Sequence, residues 1–290
     1  MKEIVEIKEN IRTHWVGDGF PVKTMFSYMG DAQLCSPFLL LDYAGPHVFE
    51  PSTVQRGVGE HPHRGFQTVS IIYQGELEHR DSSGHQGFLS HGDVQWMSAG
   101  SGVVHEELHS KSFTNNGGTF EMIQLWVNLP AIMKMSSPTY QDIRAEQIPT
   151  IKLDNGSLRI IAGEFGGKNG PAKTETPVQI WDLKLDHGTT TNLGARDGHT
   201  AILFVRNGRI LVNDKEALAS GELVIFDRRK ATIQIKVQEN FEGLLLSGEP
   251  IDEPVIGHGP FVMNSESEII EAVQDYRDGK MGKLLEISGN

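Results

Sequence analysis

The sequence predicts an all-β fold built as two similar domains and closed by one helix. Three observations carry that prediction. Short runs of strand character recur between turn residues, with 32 Gly and 13 Pro punctuating 290 residues. The order of strands and glycine turns repeats once along the chain. Helical periodicity is weak until the last part of the sequence.

The runs are Thr68–Tyr73, Met122–Val127, Ala201–Val205, Glu222–Phe226 and Thr232–Val237. Many short strands at close spacing, separated by turn residues, argue for a sandwich or barrel. The repeat places Ile71–Leu77 and Ser90–Trp96 in a first copy, against Phe204–Ile210 and Ala219–Val224 in a second. Each copy reads strand, Gly turn, strand, then a Gly-acid turn and another strand. A chain of 290 residues fits about two domains, and a hydrophobic content of 38% gives each a core. The joint is expected near Ser137-Pro138 to Pro149, giving domains 1–137 and 138–290. At the end, Ile269, Ile270, Val273 and Tyr276 form one helical stripe, and Ser265 with Glu268 reads as a capping box.

With 26 Lys+Arg against 38 Asp+Glu the formal charge is −12. That balance offers no global attraction to nucleic acid or anionic lipid. The basic run Asp227-Arg228-Arg229-Lys230 is short, begins with an acid and reads as a solvated turn. One cysteine, Cys35, excludes an intramolecular disulfide, a thiolate-rich zinc site and an iron–sulfur cluster. Its apolar neighbours mark it as a buried small hydrophobe, not a nucleophile. The first ten residues alternate charged and apolar side chains, unlike a signal peptide, and no apolar run reaches membrane-spanning length. The expected location is cytoplasmic, or nuclear in a eukaryote.

The strongest functional signal is His61-Pro62-His63 followed by His105-Glu106-Glu107. On a strand, residues i and i+2 share a face. Two such strands side by side would aim three imidazoles and a carboxylate at one point, the donor set of a mononuclear transition metal. A lone H-x-H among 12 His is more often a surface pair or a hydrogen-bonded core pair; the second pair at strand spacing favours a joint site. The second copy has no such pairs: Asp197-Gly198-His199 and Thr232-Ile233-Gln234 stand in the matching stretches. His187, His199 and His258 are isolated and read as surface or hydrogen-bonded residues. One metal is therefore expected, in the N-terminal domain.

These motifs resemble the cupin superfamily: Gly57 or Gly59, His61, His63 and Gly75, then Gly92, Ser98-Ala99-Gly100 and His105. More specifically, the chain resembles the pirin family in His61–Phe66, Gly92–Met97, Gln124–Pro130, Glu253–Ile256 and His258–Asn264. The resemblance implies a bicupin, two face-to-face jelly-roll-like β-barrels of which the N-terminal one holds metal. It also implies His61, His63, His105 and Glu107 as ligands, with Glu106 on the opposite face. Where cupins often carry a Glu after H-x-H, this chain has Gln67-Thr68. Pirin-like proteins are associated with dioxygenase activity on flavonols such as quercetin, and alternatively with iron-dependent, redox-sensing regulation through a transcription factor or metabolic enzyme.

Four protein ligands would leave two positions of an octahedral ion for dioxygen and a chelating flavonol-like substrate. Fe(II) is the first choice, with Mn, Ni, Cu or Zn as alternatives, and Glu107 is the candidate base. Gln67 and Gln124 either line the barrel and bond a ligand or the substrate, or face outward. Phe66, Trp96, Met97 and Trp126 read as core before they read as pocket walls. A protein of this charge favours a small molecule, or a regulatory protein partner, over direct nucleic-acid or membrane binding.

Overall fold

A computed structural model describes residues 1–284 of the chain. The fold is all-β, as the sequence predicts, and the chain forms two compact units.

One unit comprises residues 12–30, 38–145 and 253 onward. Its larger sheet runs, in spatial order, Thr139–Ile143, Val94–Ser98, Phe66–Gln74, Gly118–Asn128, Phe38–Phe49, Phe20–Ser27 and His14–Val16. A four-stranded sheet runs Gly57–His63, Val103–His109, Leu77–Asp81 and Gln86–Leu89. The other unit comprises residues 1–11, 31–37 and 146–252, and is built on a nine-stranded sheet centred on the long strands Thr200–Val212 and Thr232–Gly248, with a small two-stranded ribbon, Glu164–Phe165 with Lys168–Asn169. Every expected strand run lies inside an observed strand. The repeat is also real in backbone terms. Gly75 and Gly208 share a left-handed φ, +86° and +91°, and a Cβ at either would collide, with Phe120 and with the Asn240 carbonyl respectively.

The units do not divide the chain at a single point, in contrast to the expected domains 1–137 and 138–290. Ile4–Glu9 pairs antiparallel with Glu222–Phe226, so the first residues complete the sheet of the later unit. The final hairpin, Ile256–His258 with Phe261–Met263, and the helix Glu266–Arg277 belong to the earlier unit. There the buried Lys134 ammonium donates to the carbonyls of Gly65 and Val262 and to Asn128 Oδ1. Edge strands from distant sequence cap sheets that would otherwise expose unpaired backbone.

The helix starts where predicted: Ser265 caps it and Glu268 N–H donates to Ser265 Oγ. Its stripe is narrower than expected. Ile269 and Val273 pack with Val104, Phe261, Ala272 and Met281, but Ile270 is 70% exposed. Asp275 is buried on that face instead, because its carboxylate accepts from Arg64 Nη2 at 2.9 Å and Lys280 Nζ at 2.7 Å. Two short helices, Tyr28–Cys35 and Lys111–Asn116, carry too little apolar periodicity to be read from sequence.

Candidate metal centre

Val103–His109 lies between Gly57–His63 and Leu77–Asp81, antiparallel to both. His105 stands opposite His61, and Val103 opposite His63. Gly57 is required here by close approach: a Cβ would lie 2.2 Å from the Glu107 carbonyl, whereas Gly59 has open space. Alternation buries His105, Glu107 and His109 and turns Glu106 outward, where Arg80 Nε bonds it.

The structure brings His61, His63 and His105 together. Ring centroids are 4.2 Å apart for His61–His105 and 4.9 Å for each of the other two pairs. One donor nitrogen from each ring lies within 4.8 Å of the others. His61 Nδ1 is 2.8 Å from the Gly59 carbonyl, which leaves Nε2 as a lone-pair donor. His105 Nδ1 is turned to His79, and its Nε2 is buried without a partner. Burial, reinforced by neighbouring imidazoles, holds His63 and His105 well below the usual histidine range. Neutral rings with converging, unpartnered nitrogens fit a divalent transition metal.

Glu107 is close to this cluster but groups with His105 and His79, not with all three histidines. Its carboxylate is held from the facing sheet. Oε1 accepts from Ser70 Oγ at 3.2 Å and Gln95 Nε2 at 2.9 Å, and Oε2 accepts from Gln124 Nε2 at 2.9 Å. Gln124 is thus barrel-lining; Gln67 is buried and takes no part in this network.

Those donors come from one row. Gln95, Ser70, Gln124, Asp42 and Thr24 are direct cross-strand neighbours on five adjacent strands. Thr24 Oγ1 donates to Asp42 Oδ1 at 2.5 Å. Asp42 and Gln124 line a cavity with His61 and Glu107, walled by Val16, Phe20, Val22, Ala44, Val58 and Met122. Its volume of about 30 Å³ is room for about two water molecules. Phe66, Trp96, Met97 and Trp126 are not on that wall. Phe66 and Trp126 stack on each other and edge onto His63, while Trp96 and Met97 are fully buried.

Sequence reasoning missed Ser70, Gln95, Asp42, His79, Asp81 and Tyr140. His79 stands opposite Glu107 in register, and its Nδ1 is 3.4 Å from His105 Nδ1. Its Nε2 is 3.5 Å from Asp81 Oδ2, which also holds His85 Nδ1 at 2.9 Å. Tyr140 stacks on His79 at 4.8 Å and donates to Gln95 Oε1 at 3.2 Å. The one available signal was the polar alternation His79, Asp81 within a short strand.

Two β-units of repeated topology, one with a buried histidine cluster on paired strands, define a cupin-class protein whose candidate metal ligands, among the described residues, gather around His105. The chain belongs to the pirin family: the Pirin family model matches residues 19–127 and the Pirin C-terminal cupin domain model residues 180–282. A Pseudomonas aeruginosa protein provisionally described as a quercetin 2,3-dioxygenase is 49% identical over 97% of this chain and 98% of its own. The crystal structure of a quercetin 2,3-dioxygenase from Acinetobacter baumannii superposes with a TM-score of 0.96, at 49% identity over 98% of this chain and 100% of that one. Bacterial pirin YhhW from Escherichia coli in complex with nickel(II) shares the fold, with a TM-score of 0.63 at 19% identity, over 85% of this chain and 99% of that one. Among the described residues no helix is long and apolar enough to cross a membrane.

Proposed function

We propose that this chain is a metal-dependent dioxygenase that cleaves flavonols such as quercetin, with metal held by His61, His63, His105 and Glu107. The carrying observation is the cluster of three imidazoles, two of them held neutral by burial, beside an apolar-walled cavity that Glu107 also lines. Fe(II) is the first choice of metal, with Mn, Ni, Cu and Zn as alternatives; the donor set alone does not rank them. When bound, the ion supplies Lewis acidity and a template for a chelating oxygen ligand and dioxygen.

The chain's own residues then have distinct tasks. The Gly59 carbonyl and His79 orient the His61 and His105 rings through their Nδ1 atoms. Ser70, Gln95 and Gln124 hold Glu107 poised beside His105. Val16, Phe20, Val58 and Met122 form the apolar wall of the cavity. At about 30 Å³ the cavity is far smaller than the ~300–1,000 Å³ of typical small-molecule sites. Flavonol entry therefore requires lining side chains to move, with Val16 on the sheet's terminal strand the first to yield.

The test is oxygen uptake and loss of the flavonol absorption band on mixing quercetin with protein reconstituted with Fe(II) and, separately, with each alternative metal. Uptake coupled to quercetin loss, abolished in His61→Ala, is the expected result. No uptake with any first-row metal would overturn the reading.

A further inference from the structure

The strand Val103–His109 has a neighbour on each side, and both carry ligand-type residues at i, i+2. His61 and His63 lie on one; on the other, His79 stands opposite Glu107 and Asp81 opposite His105. His79 and Asp81 are on the buried face of their strand, with Glu78 and Arg80 on the other face. His79, His105 and Glu107, all buried, each offer a donor atom within 4.8 Å of the others.

The Nδ1 atoms of His79 and His105 are 3.4 Å apart, long for a hydrogen bond. Two nitrogens bound at about 2.0–2.1 Å to one tetrahedral ion stand about 3.3–3.4 Å apart, so this pair is already spaced as two ligands. His79 is also braced from behind. Its Nε2 is 3.5 Å from Asp81 Oδ2. Asp81 is fixed in turn by the backbone N–H groups of Ser83 and His85 on Oδ1 and by His85 Nδ1 on Oδ2. Tyr140 stacks on the His79 ring at 4.8 Å with 17° between the planes. A carboxylate behind an imidazole, fixing its orientation, is the usual setting of a metal-bound histidine.

We propose that His79 Nδ1, His105 Nδ1 and the Glu107 carboxylate form a second metal position, alternative to the three-histidine cluster, for a divalent ion that prefers tetrahedral coordination, zinc above all. Two imidazoles and a carboxylate, with a fourth place left to water, are a donor set that zinc accepts. The two positions exclude each other. A neutral imidazole has one lone pair, so His105 serves an ion through Nε2, with His61 and His63, or through Nδ1, with His79. Glu107 is limited in the same way. It accepts from Ser70, Gln95 and Gln124, which leaves about one of its four lone-pair sites for an ion. An ion beside His79 therefore withdraws both shared ligands from the cluster. This second position does not depend on the dioxygenase activity proposed above.

The test compares binding of zinc, Fe(II) and Co(II) by the metal-free full chain in three forms: wild type, His79→Asn and His61→Ala. His79→Asn keeps an acceptor for the His105 N–H and removes the imidazole donor. Its zinc affinity should fall by more than about 100-fold, with Fe(II) affinity within a few-fold of wild type. His61→Ala should do the reverse, losing Fe(II) more steeply than zinc. Co(II), a visible stand-in for zinc, should show the intense bands of a tetrahedral ion in wild type and in His61→Ala, and only the weak bands of a six-coordinate ion in His79→Asn. Zinc and Fe(II) affinities that fall together in His79→Asn would leave His79 as an orienting residue and overturn the second position. Tetrahedral Co(II) bands that vanish in His61→Ala, or that wild type never shows, overturn it as well. Each of these results leaves the dioxygenase reading standing, since that reading fails on oxygen uptake alone.

Discussion

Across the larger sheet of the histidine-bearing unit runs the row Gln95, Ser70, Gln124, Asp42, Thr24; at the same places in the other unit stand Val224, Leu203, Leu245, Trp181 and Ile160. The correspondence follows from the repeat. Ser70 precedes Gly75 by five residues as Leu203 precedes Gly208, and Gln95 follows Gly92 by three as Val224 follows Gly221. Strand register supplies the rest: Leu203 pairs with Val224 and Leu245, Leu245 with Trp181, and Trp181 with Ile160. All five belong to one buried apolar cluster. The stretch Thr232–Val237 completes the contrast. Its alternate buried residues are Ile233, Ile235 and Val237, where Val103–His109 buries His105, Glu107 and His109.

One topology thus carries two interiors. The apolar one is stabilised by burial at roughly 25 cal/mol per Å². The polar one gives up that gain and satisfies its buried carboxylates, Glu107 and Asp42, through Ser70, Gln95, Gln124 and Thr24, while His105 Nε2 stays without a protein partner. A polar interior kept in one unit where its repeat packs an apolar one is the kind of exception expected at a functional site.

Removing His105 should have the largest effect on this asymmetry. His105→Ala deletes the residue common to both groupings of candidate ligands, His61–His63–His105 and His79–His105–Glu107. Fe(II) affinity, measured by anaerobic chelator competition, should fall by more than about 100-fold, beyond the usual cost of losing an outer-shell partner. Retention within a few-fold would place the metal elsewhere and dissolve the contrast between the units.

The reciprocal change tests the filled interior. Leu203→Gln puts at the fully buried Leu203 the kind of polar group that Ser70 presents in the other unit. With no Gln95, Gln124 or Glu107 equivalent to bond it, the amide should cost about 3 kcal/mol of stability. The measurement is the urea midpoint and slope; an unchanged midpoint would show that the apolar row tolerates polarity.

His79→Phe should act more mildly. The ring keeps its stack on Tyr140 but no longer accepts at the place of Nδ1, so His105 loses its partner. Fe(II) affinity should fall about 10- to 100-fold, with His79→Asn recovering most of it through its side-chain oxygen. Equal affinities in wild type and His79→Phe would reduce His79 to a packing residue.

Much of this contrast is legible in the amino-acid sequence. The i, i+2 spacing of His61, His63, His105 and Glu107 is local information, and strand geometry alone places each pair on one face. Gly75 and Gly208 announce the repeat because only certain backbones need a left-handed residue. Asp42, Ser70 and Gln95 are invisible there because they become neighbours only through register, which depends on pairings between distant strands. The exchange of terminal segments is hidden for the same reason: nothing near Ile4–Glu9 names Glu222–Phe226 as its partner.

The smallest expected effect tests how completely the filled unit excludes charge. Cys35 is fully buried in it, and desolvation, with Asp31 nearby, pushes the thiol up to about 12 from a usual 9.0. Above pH 9 the unfolded chain loses this proton while the folded chain keeps it. Ionisation then favours the unfolded state, so this contribution is constant below pH 9 and is lost as pH rises towards 12. At pH 10 the loss should be about 1.4 kcal/mol. It should appear as a difference between wild type and Cys35→Ala in the change of urea stability from pH 8 to pH 10, because every other titrating group is common to both. Native protein should also resist iodoacetamide across that range and react only on unfolding. Equal pH dependence in the two proteins, or ready alkylation of the native thiol at pH 9, would mean that water reaches an interior whose packing leaves no place for it.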